Sequence, residues 1–358
     1  MKSSQQIFSM RRALLNWYEA EGRTLPWRIR PADREAGIIA DPYKIWLSEI
    51  MCQQTTTTAA SPYWHKFLKT WPSVADLAKA PRDDVLTAWA GLGYYARARN
   101  LHKCAQVVWD DYGGVFPLRE AELLKLPGIG PYSAAAIASI CYGEATNVVD
   151  GNVERVVSRI FCVETEMPKA KPEIRKLAAQ LADPKQPGDY AQALMDLGAH
   201  ICKPKNPKCG ACPWRSECRA CKSGTMENYP KRKPKTERPV RYGAVFFIED
   251  KGKIWLQQRP DKGLLGGMME LPGTEWTSLK ADITSLLAQA PVKSNWQEVD
   301  AEVKHIFTHF TLYLTVFTAH AAMDTFEICA DLDTLEEYAL PSLMRKAIAL
   351  ANSQPPGL

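Results

Sequence analysis

The chain lacks long apolar runs, internal repeats and any strong excess of charge. No segment approaches the roughly 18 uninterrupted apolar residues that a membrane-spanning helix requires, and residues 1–20 resemble an amphipathic helix rather than a cleavable signal. With 24% charged and 46% hydrophobic residues among 358, the composition excludes disordered and fibrous proteins and favours two or three globular domains. We expect a monomeric protein of the cytoplasm without a membrane partner, and the lack of a transit extension favours a bacterial source.

Basic residues are unevenly distributed, although the formal net charge is only +5. Residues 202–241 contain 12 Lys or Arg against 3 Asp or Glu, so this segment carries +9 and the rest of the chain −4. A local basic stripe favours contact with a polyanion, because neutralised phosphates release counterions. A solvated lysine-rich linker would give the same charge, so this alternative stays open.

The cysteines are crowded rather than spread in pairs. Five of the ten lie between Cys202 and Cys221, which favours a metal site in a reducing compartment over a disulfide scaffold. Cys202, Cys209, Cys212 and Cys218 have the spacing C-x6-C-x2-C-x5-C, and four thiolates on such a loop hold zinc or an iron-sulfur cluster. Structural zinc usually uses two C-x2-C pairs and only one is present, so we favour a 4Fe–4S cluster. We expect Cys221, which lies outside the spacing, to be a bystander.

The hydrophobic pattern changes once along the chain. Residues 5–199 show helical periodicity interrupted by Gly and Pro and predict about ten short helices. Residues 230–239 contain three prolines and six charges, which mark a linker. The organisation that we expect is a helical region over 1–229, including a cysteine loop at 202–218, and an α+β domain over 240–358.

The α+β prediction rests on short runs after the linker. Residues 244–248 and 253–257 flank a turn signal and predict a β-hairpin, and residues 308–319 predict a further strand. Helical patterns occupy residues 278–290 and 341–351.

A glycine-containing turn separates two helical runs. In Leu126-Pro127-Gly128-Ile129-Gly130 the glycines let the chain reverse tightly and leave backbone N–H groups free at a helix start, where an anion binds. The segment predicts a helix-hairpin-helix contact with phosphate through Gly128, Ile129 and Gly130, although an ordinary helix turn has the same composition. Asp150 precedes the next helical run, where the simplest role for an aspartate is an N-cap.

Together the hairpin, Asp150 and the cysteine loop resemble the endonuclease III superfamily of base-excision DNA glycosylases. Within that superfamily, several further segments are similar to the MutY-type adenine DNA glycosylases. They are residues 25–28, 46–49, 51–55, 91–99 and 195–199. The resemblance implies an all-α helix-hairpin-helix glycosylase domain with an iron-sulfur loop. It also implies an enzyme that flips adenine, mispaired with 8-oxoguanine or guanine, out of duplex DNA and hydrolyses its N-glycosidic bond.

The resemblance assigns the chemistry to two carboxyl groups. It implies that Glu49 protonates the flipped adenine, while Asp150 stays ionised against the positive sugar and Asn152 orients water or Asp150. Apolar neighbours on both sides of Glu49 are expected to raise its pKa by desolvation. At position 132 relatives such as endonuclease III carry a lysine. Tyr132 offers no amine, so we expect a monofunctional glycosylase that leaves an abasic site.

Other residues are assigned to DNA by the same resemblance. Gln54 and Tyr94 would wedge into the helix from the minor groove and Gln53 would make a lesser contact. Trp27 and Arg28 would lie beside the adenine pocket.

The last 119 residues, 240–358, resemble the Nudix (MutT-like) hydrolases. Residues 263–273 match the start of that motif, but residues 279–287 contain a single acid, Asp282, where a working hydrolase carries several around magnesium. We therefore expect recognition of 8-oxoguanine without hydrolysis. The expected reader is Phe307, Thr308 and His309; the family usually has a serine at the position of Thr308.

Three other functions compete with this interpretation. They are a thymine- or oxidised-pyrimidine-specific glycosylase, a damage-binding protein that has lost its chemistry, and an electron carrier. An electron carrier would need neither the hairpin nor the paired carboxylates.

Overall fold

The computed structural model describes residues 2–234, 237–322 and 326–353. The chain folds into two compact units: residues 1–79 with 100–234, and residues 80–99 with 235–358. Parts of the expected linker and C-terminal domain, at 235–236, 323–325 and 354–358, lie outside the described residues. None of the described helices is long and apolar enough to cross a membrane.

Twelve α-helices precede the cysteine loop within the described residues, rather than about ten. The excess arises from single-turn helices such as α2 and α8, which are too short to give a periodic pattern. The helices are α1 (Ser4–Glu21), α2 (Pro31–Glu35), α3 (Pro42–Met51), α4 (Thr57–Thr70), α5 (Val74–Lys79), α6 (Arg82–Trp89), α7 (Ala96–Tyr112), α8 (Glu120–Leu123), α9 (Pro131–Tyr142), α10 (Gly151–Phe161), α11 (Lys171–Leu181) and α12 (Pro187–Asp196).

Two of these helices begin at sequence signals that fix their position. The side chain of Asp41 accepts a hydrogen bond from the Tyr43 amide at 2.9 Å, with Pro42 at the first position of α3. Asp150 caps α10 through the amide of Val153 at 2.7 Å. As a result, α3 carries Glu49 in its last turn, and α10 presents Asp150 at its first.

Close helix packing brings α9 and α12 together. A Cβ atom at Gly188 would lie 2.8 Å from the carbonyl oxygen of Ser139 and 3.0 Å from the Cα atom of Ile140, so only glycine permits this approach. α12 continues into a π-helical turn over Leu197–Ile201, which leads into the cysteine loop. A short helix, α13 (Arg219–Lys222), follows that loop.

A common core joins α1, α10, α11 and α12 to the cysteine loop. Leu14, Val157, Ile174 and Ala193 are fully buried in it. The indole N–H of Trp214 donates to the carbonyl of Met10 at 2.8 Å, which attaches the cysteine loop to α1.

The second unit contains a six-stranded sheet among its described residues. The strands are β1 (Val240–Asp250), β2 (Lys253–Gln258), β3 (Met269–Glu270), β4 (Gln297–Ile306), β5 (Thr311–His320) and β6 (Ile328–Asp331). Their order is β3-β2-β1-β5-β4, with β6 also paired to β2; β1 and β5 run parallel and the other pairs antiparallel. Two helices, α14 (Ile283–Leu287) and α15 (Ser342–Asn352), accompany the sheet.

Two predicted elements of this unit were wrong in extent. The helix predicted over 278–290 is only α14, because Asp282 caps it by accepting from the Ser285 amide at 2.9 Å. The strand predicted from Thr308 begins at Thr311, since the Phe307 amide donates to the Phe310 carbonyl at 2.9 Å and closes a turn.

The second unit also includes α6 and the turn after it. Arg82 pairs with Asp261, and Arg99 donates to the carbonyl of Gly266 at 2.5 Å. A Cβ atom at Gly267 would collide with the guanidinium of Arg82. The segment that resembles the start of a Nudix motif therefore anchors residues 80–99.

Candidate active site

Glu49 is buried in the helical unit. α3 is buried along most of its length, and only 9% of Glu49 is exposed. Burial raises the pKa of this carboxyl, and the negative charge of Asp150 raises it further, against the lowering effects of the Tyr132 hydroxyl and the Arg28 guanidinium. The prediction that apolar surroundings raise this pKa is confirmed in direction. A carboxyl with this pKa retains its proton to higher pH than an exposed glutamate.

Tyr132 stands between the carboxyl and a thioether. Its hydroxyl donates to the sulfur of Met195 at 3.1 Å, and its proximity lowers the pKa of the Glu49 carboxyl. A thioether is the weaker acceptor, so the carboxylate is the preferred partner whenever it is ionised. Burial and the charges of Glu49 and Asp150 hold the pKa of Tyr132 well above its ordinary value. The phenol therefore stays neutral and acts as a donor.

A buried ion pair with Asp196 holds Arg28, which lies near the Glu49 carboxyl. Arg28 donates to Asp196 at 2.6 Å, and Arg23 donates to the other oxygen of Asp196 at 2.7 Å. Burial alone would raise the pKa of Asp196, but the bond and charge of Arg28, with Arg23, hold it below its ordinary value.

The ring of Trp27, predicted for the adenine pocket, packs edge-on against Trp64 at 5.7 Å between centroids.

Both carboxylate oxygens of Asp150 have partners. One accepts from the Val153 amide and the other from the side-chain amide of Asn152 at 2.8 Å. The carbonyl oxygen of the Asn152 side chain in turn accepts from Arg155 at 2.9 Å. The side chain of Asp150 is thus held in one orientation, and Asn152 is placed to orient it.

Arg155 connects this group to the cysteine loop. It donates to the carbonyls of Gly198 and Cys202, each at 2.7 Å. A Cβ atom at Gly198 would lie 2.6 Å from the Cβ of Asn152 and 3.2 Å from its backbone. Glycine at 198 therefore allows the turn after α12 to touch the start of α10.

The hairpin residues lie where the sequence predicts. Gly128 has φ +75° and a Cβ atom there would lie 2.7 Å from the Cβ of Asn100, while Ile129 is buried. Gly130 is the N-cap of α9, with Pro131 next. The first amides of a helix have no intrahelical partner and face an incoming anion.

Gln53 and Gln54 follow α3 and differ in their contacts. The side-chain amide of Gln53 donates to the hydroxyl of Ser133 at 3.1 Å, which attaches it to α9. Gln54 is exposed, with φ +56°. That left-handed conformation is unusual for a residue with a side chain and is found at functional turns.

In the second unit, a residue predicted as a wedge contacts one predicted to read the lesion. The hydroxyls of Tyr94 and Thr308 lie 3.3 Å apart. Tyr94 also has a left-handed backbone, at φ +49°, and is 50% exposed. Phe307 packs against Phe310 at 4.7 Å between ring centroids, whereas Thr308 and His309 are exposed.

Five cysteines line one cavity. Cys202, Cys209, Cys212 and Cys218 share it with Cys221. Burial raises the pKa of Cys212 to about 12 and that of Cys218 to about 11, so uptake of a metal must release these protons. Among the described residues no three Cys, His, Asp or Glu side chains are placed to hold one metal ion. Four thiols of one loop around a common cavity are the donor set that a 4Fe–4S cluster uses.

The side chain of Arg159 binds the beginning of the cysteine loop. Arg159, 1% exposed, donates to the sulfur of Cys202 at 3.2 Å and to the carbonyls of Lys203 and Pro204 at 2.7 and 2.9 Å. These bonds attach the beginning of the cysteine loop to α10.

The site analysis from sequence missed Asp196, Arg155 and Arg159. Arg159 and Asp196 lie next to apolar residues in α10 and α12, and a buried charge requires a partner. That signal could have identified these two as paired residues, although it does not name the partners. Arg155 follows Glu154 and has no such signal.

Sequence profiles match three parts of the chain. Residues 47–184 match the HhH-GPD superfamily of base excision DNA repair proteins. Residues 202–218 match the iron-sulfur binding domain of endonuclease III, and residues 244–350 match the NUDIX domain.

Curated relatives align over most of the chain. The adenine DNA glycosylase of Homo sapiens is 34% identical over 414 residues, covering 98% of this chain and 76% of the human protein. That of Buchnera aphidicola subsp. Baizongia pistaciae is 34% identical, covering 84% of this chain and 83% of the relative.

Solved structures resemble the helical part. A thermostable thymine-DNA glycosylase aligns with TM-score 0.54 and 28% identity over 61% of this chain and 98% of its own. Endonuclease III in a non-covalent DNA complex aligns with TM-score 0.52 over 63% of this chain and 99% of its own; at 22% identity, it shows the fold alone. With a helical glycosylase domain, a 4Fe–4S cluster loop and a Nudix-like domain in one polypeptide, the chain belongs to the adenine DNA glycosylases of base excision repair.

Proposed function

We propose that this glycosylase removes adenine paired with 8-oxoguanine or guanine in duplex DNA, flips it out of the helix and leaves an abasic site. The observation that carries the proposal is the contrast between two carboxyl groups. Glu49 is buried and has a raised pKa, whereas both oxygens of Asp150 accept hydrogen bonds. Such a pair divides the roles of acid and charge stabiliser.

Binding and flipping precede the chemistry. The amides around Gly128, Ile129 and Gly130 would bind a phosphate, as expected for a helix N-terminus. Gln54 and Tyr94 would fill the space that the adenine leaves, and Gln53 would add a contact. Extrusion costs a few kcal/mol, and the left-handed backbones of Gln54 and Tyr94 support side chains held away from their own chain.

The proton comes from Glu49. Its raised pKa keeps it protonated closer to neutral pH, and Tyr132 and Arg28 face the carboxylate that remains after transfer. The proton passes to N7 of adenine, and the base departs with the electron pair of its bond to the sugar. Trp27 and Arg28 would border the pocket that receives the base.

Asp150 balances the positive charge left on the sugar. A carboxylate against an oxocarbenium ion is the second half of glycoside chemistry and can bond transiently to the sugar before water adds. Asn152 holds this carboxylate in place. Since Tyr132 has no amine, no Schiff base forms and the strand is not cut, which makes the enzyme monofunctional.

Cys202, Cys209, Cys212 and Cys218 would hold the 4Fe–4S cluster. When bound, the cluster supplies a cross-link for the loop and a cofactor with adjustable redox potential. The basic segment around it would face the DNA backbone.

The C-terminal part would read the lesion through Phe307, Thr308 and His309. We propose the division expected from sequence: 1–229 for catalysis, 230–239 as linker and 240–358 for 8-oxoguanine recognition. The enzyme would work as a monomer in the cytoplasm, where bacterial DNA lies.

The test is a set of matched duplexes containing A:8-oxoG, A:G, A:T or T:G, incubated with the enzyme and then treated with hot alkali. We expect alkali-dependent cleavage at adenine in the first two and no product trapped by borohydride. Cleavage at T:G alone would replace adenine by thymine as substrate. A borohydride-trapped complex would contradict the monofunctional assignment, and duplex binding without any abasic product would indicate a damage-binding protein.

A further inference from the structure

The turn that carries Gln54 has an unusual backbone. α3 ends at Met51 and α4 begins at Thr57, and the exposed Gln54 lies between them at φ +56°. A residue with a side chain is disfavoured in this left-handed conformation, so the surroundings of the turn must hold it there.

Two contacts of the preceding residue, Gln53, hold the turn. Its carbonyl accepts from the hydroxyl of Thr55 at 3.3 Å, which spans Gln54 within the turn. Its side-chain amide donates to the hydroxyl of Ser133 at 3.1 Å. The second contact ties the turn to α9, a helix that is distant in sequence.

Ser133 is well placed to serve as an anchor. It is 1% exposed and lies in the first turn of α9, which packs against α3. A hydroxyl whose position is fixed by packing holds its partner more precisely than a group on an exposed loop does.

The first turn of α9 also carries other groups with proposed roles. Gly130 is its N-cap, where a phosphate would bind. Tyr132 lies near Glu49, and Ser133 follows directly. One rigid turn thus relates the wedge turn to the phosphate contact and to the proposed acid.

We propose that Ser133 is a positioning residue for base flipping. Through Gln53 it holds the turn in the conformation that directs Gln54 into the space left by the adenine. The inference rests on the proposed role of Gln54 as a wedge. Without the bond the turn can leave its left-handed conformation, and the extruded adenine returns to the stack more readily.

The test uses a duplex with 2-aminopurine, a fluorescent adenine analogue, opposite 8-oxoguanine. Fluorescence rises when this base leaves the stack, and a Glu49→Gln background keeps the probe attached. We expect Ser133→Ala to shift the flipping equilibrium about tenfold toward the stacked base, as the loss of one hydrogen bond commonly does. The fluorescence increase at saturating enzyme should fall accordingly. Alanine favours helices, so α9 should still form.

A second variant removes the same bond from its other end. Gln53→Leu keeps a side chain of similar size without the amide. In a Gln53→Leu chain, Ser133→Ala should have no further effect on the fluorescence, because the bond is already absent. A general loss of packing at position 133 would instead add to the effect of Gln53→Leu.

Ser139 supplies the matched control. It is also a 1% exposed serine of α9, but its hydroxyl donates to the Ala136 carbonyl of the same helix at 3.1 Å. Ser139→Ala should leave the fluorescence increase unchanged. With Glu49 present, single-turnover excision from an A:8-oxoG duplex should fall about tenfold in Ser133→Ala and stay at the parent's rate in Ser139→Ala.

The proposal is overturned if Ser133→Ala gives the full fluorescence increase, or if its effect is undiminished in the Gln53→Leu chain. Gln54→Ala separates this failure from failure of the wedge itself. An unchanged fluorescence increase in Gln54→Ala would contradict the proposed role of Gln54. A loss in Gln54→Ala without any loss in Ser133→Ala would contradict the positioning role alone.

Discussion

The first unit (residues 1–79 and 100–234) and the second unit (residues 80–99 and 235–358) hold the side chains assigned to function in opposite ways. Glu49 is 9% exposed and Asp196 1% exposed, and both have polar partners. In the second unit, Tyr94 is 50% exposed, and Thr308 and His309 are exposed too. Under the proposed roles, the groups assigned to the chemistry are oriented within the protein, whereas those assigned to lesion reading are open to solvent and would gain their partners from DNA.

Among its described residues, the second unit buries one carboxyl group, that of Glu270. Glu270 accepts from Gln257 at 3.0 Å and pairs with Arg259. A carboxylate neutralised by an arginine is poorly suited to hold magnesium. Recognition of 8-oxoguanine without hydrolysis stays a prediction.

Apart from Glu49, the largest effect is expected at Asp150. In Asp150→Asn the amide still caps α10, since Asn and Asp cap equally well, but the charge opposite the sugar is lost. Excision should fall about 10³-fold, or about 4 kcal/mol in the barrier, in single-turnover assays. Asp282→Asn is the matched control, because Asp282 also caps a helix, and should leave excision unchanged. Substantial excision by Asp150→Asn would reduce Asp150 to a cap.

Next in size is the buried ion pair. Asp196→Asn leaves Arg23 and Arg28 without their countercharge, and breaking such a pair typically costs about 3 kcal/mol or more in the free energy of unfolding. Urea denaturation measures this. Lys125→Ala, which removes an exposed pair with Glu122, should have little effect. Equal losses in the two variants would show that burial does not set the value of the pair.

A methyl group at position 198 should have an intermediate effect. In Gly198→Ala the new Cβ meets Asn152 at 2.6 Å, so Asn152 and the carboxylate that it holds must shift. A misplacement of this kind costs about 10²-fold in rate. Gly151→Ala is the control next to Asp150, since a Cβ there meets nothing within 4 Å. Normal excision by Gly198→Ala would mean that Asn152 does not position Asp150.

A smaller effect, on the preference for A:8-oxoG over A:G, is expected in the second unit. Thr308→Ala removes one hydroxyl and should reduce the preference for A:8-oxoG over A:G about tenfold, as expected for one hydrogen bond of about 1.4 kcal/mol. Thr308→Ser should retain the preference. These variants test lesion reading more specifically than a truncation after Tyr229 would. The truncation would also remove Asp261 and Gly266, the partners of Arg82 and Arg99. An unchanged preference in Thr308→Ala would move lesion reading elsewhere.

The smallest effect concerns the pH dependence of the free energy of unfolding. Burial raises the folded-state pKa of Glu49 above its unfolded value of about 4.3. Between these two pKa values the folded chain binds more protons than the unfolded chain, so the free energy of unfolding falls as pH rises. Glu49→Gln stays neutral and should lack this part of the slope. Identical slopes in urea denaturation across that range would mean that Glu49 titrates normally.

Motifs that carry their own local geometry could be predicted from the sequence. The turn at Gly128–Gly130, the cap at Asp150 and the cysteine spacing each depend on residues close in the chain. The raised pKa of Glu49 could be predicted because its neighbours within one helix are apolar.

Contacts between distant segments could not be predicted. Arg28 and Asp196 are 168 positions apart, and no local pattern pairs them. The close approach at Gly198 depends on how the turn after α12 meets the start of α10. β4 was missed because few of its residues are buried, Val299 and Val303 among them, and the register shifts between Glu298 and Glu302.

Single-turnover excision from an A:8-oxoG duplex across pH tests whether a buried glutamic acid drives adenine release. We expect excision by the parent to fall as pH rises through the raised pKa of Glu49. Glu49→Gln should lose excision at every pH while binding the duplex within a few fold of the parent, because the loss falls on the transition state. Substantial excision by Glu49→Gln, with the same pH dependence as the parent, would contradict the claim.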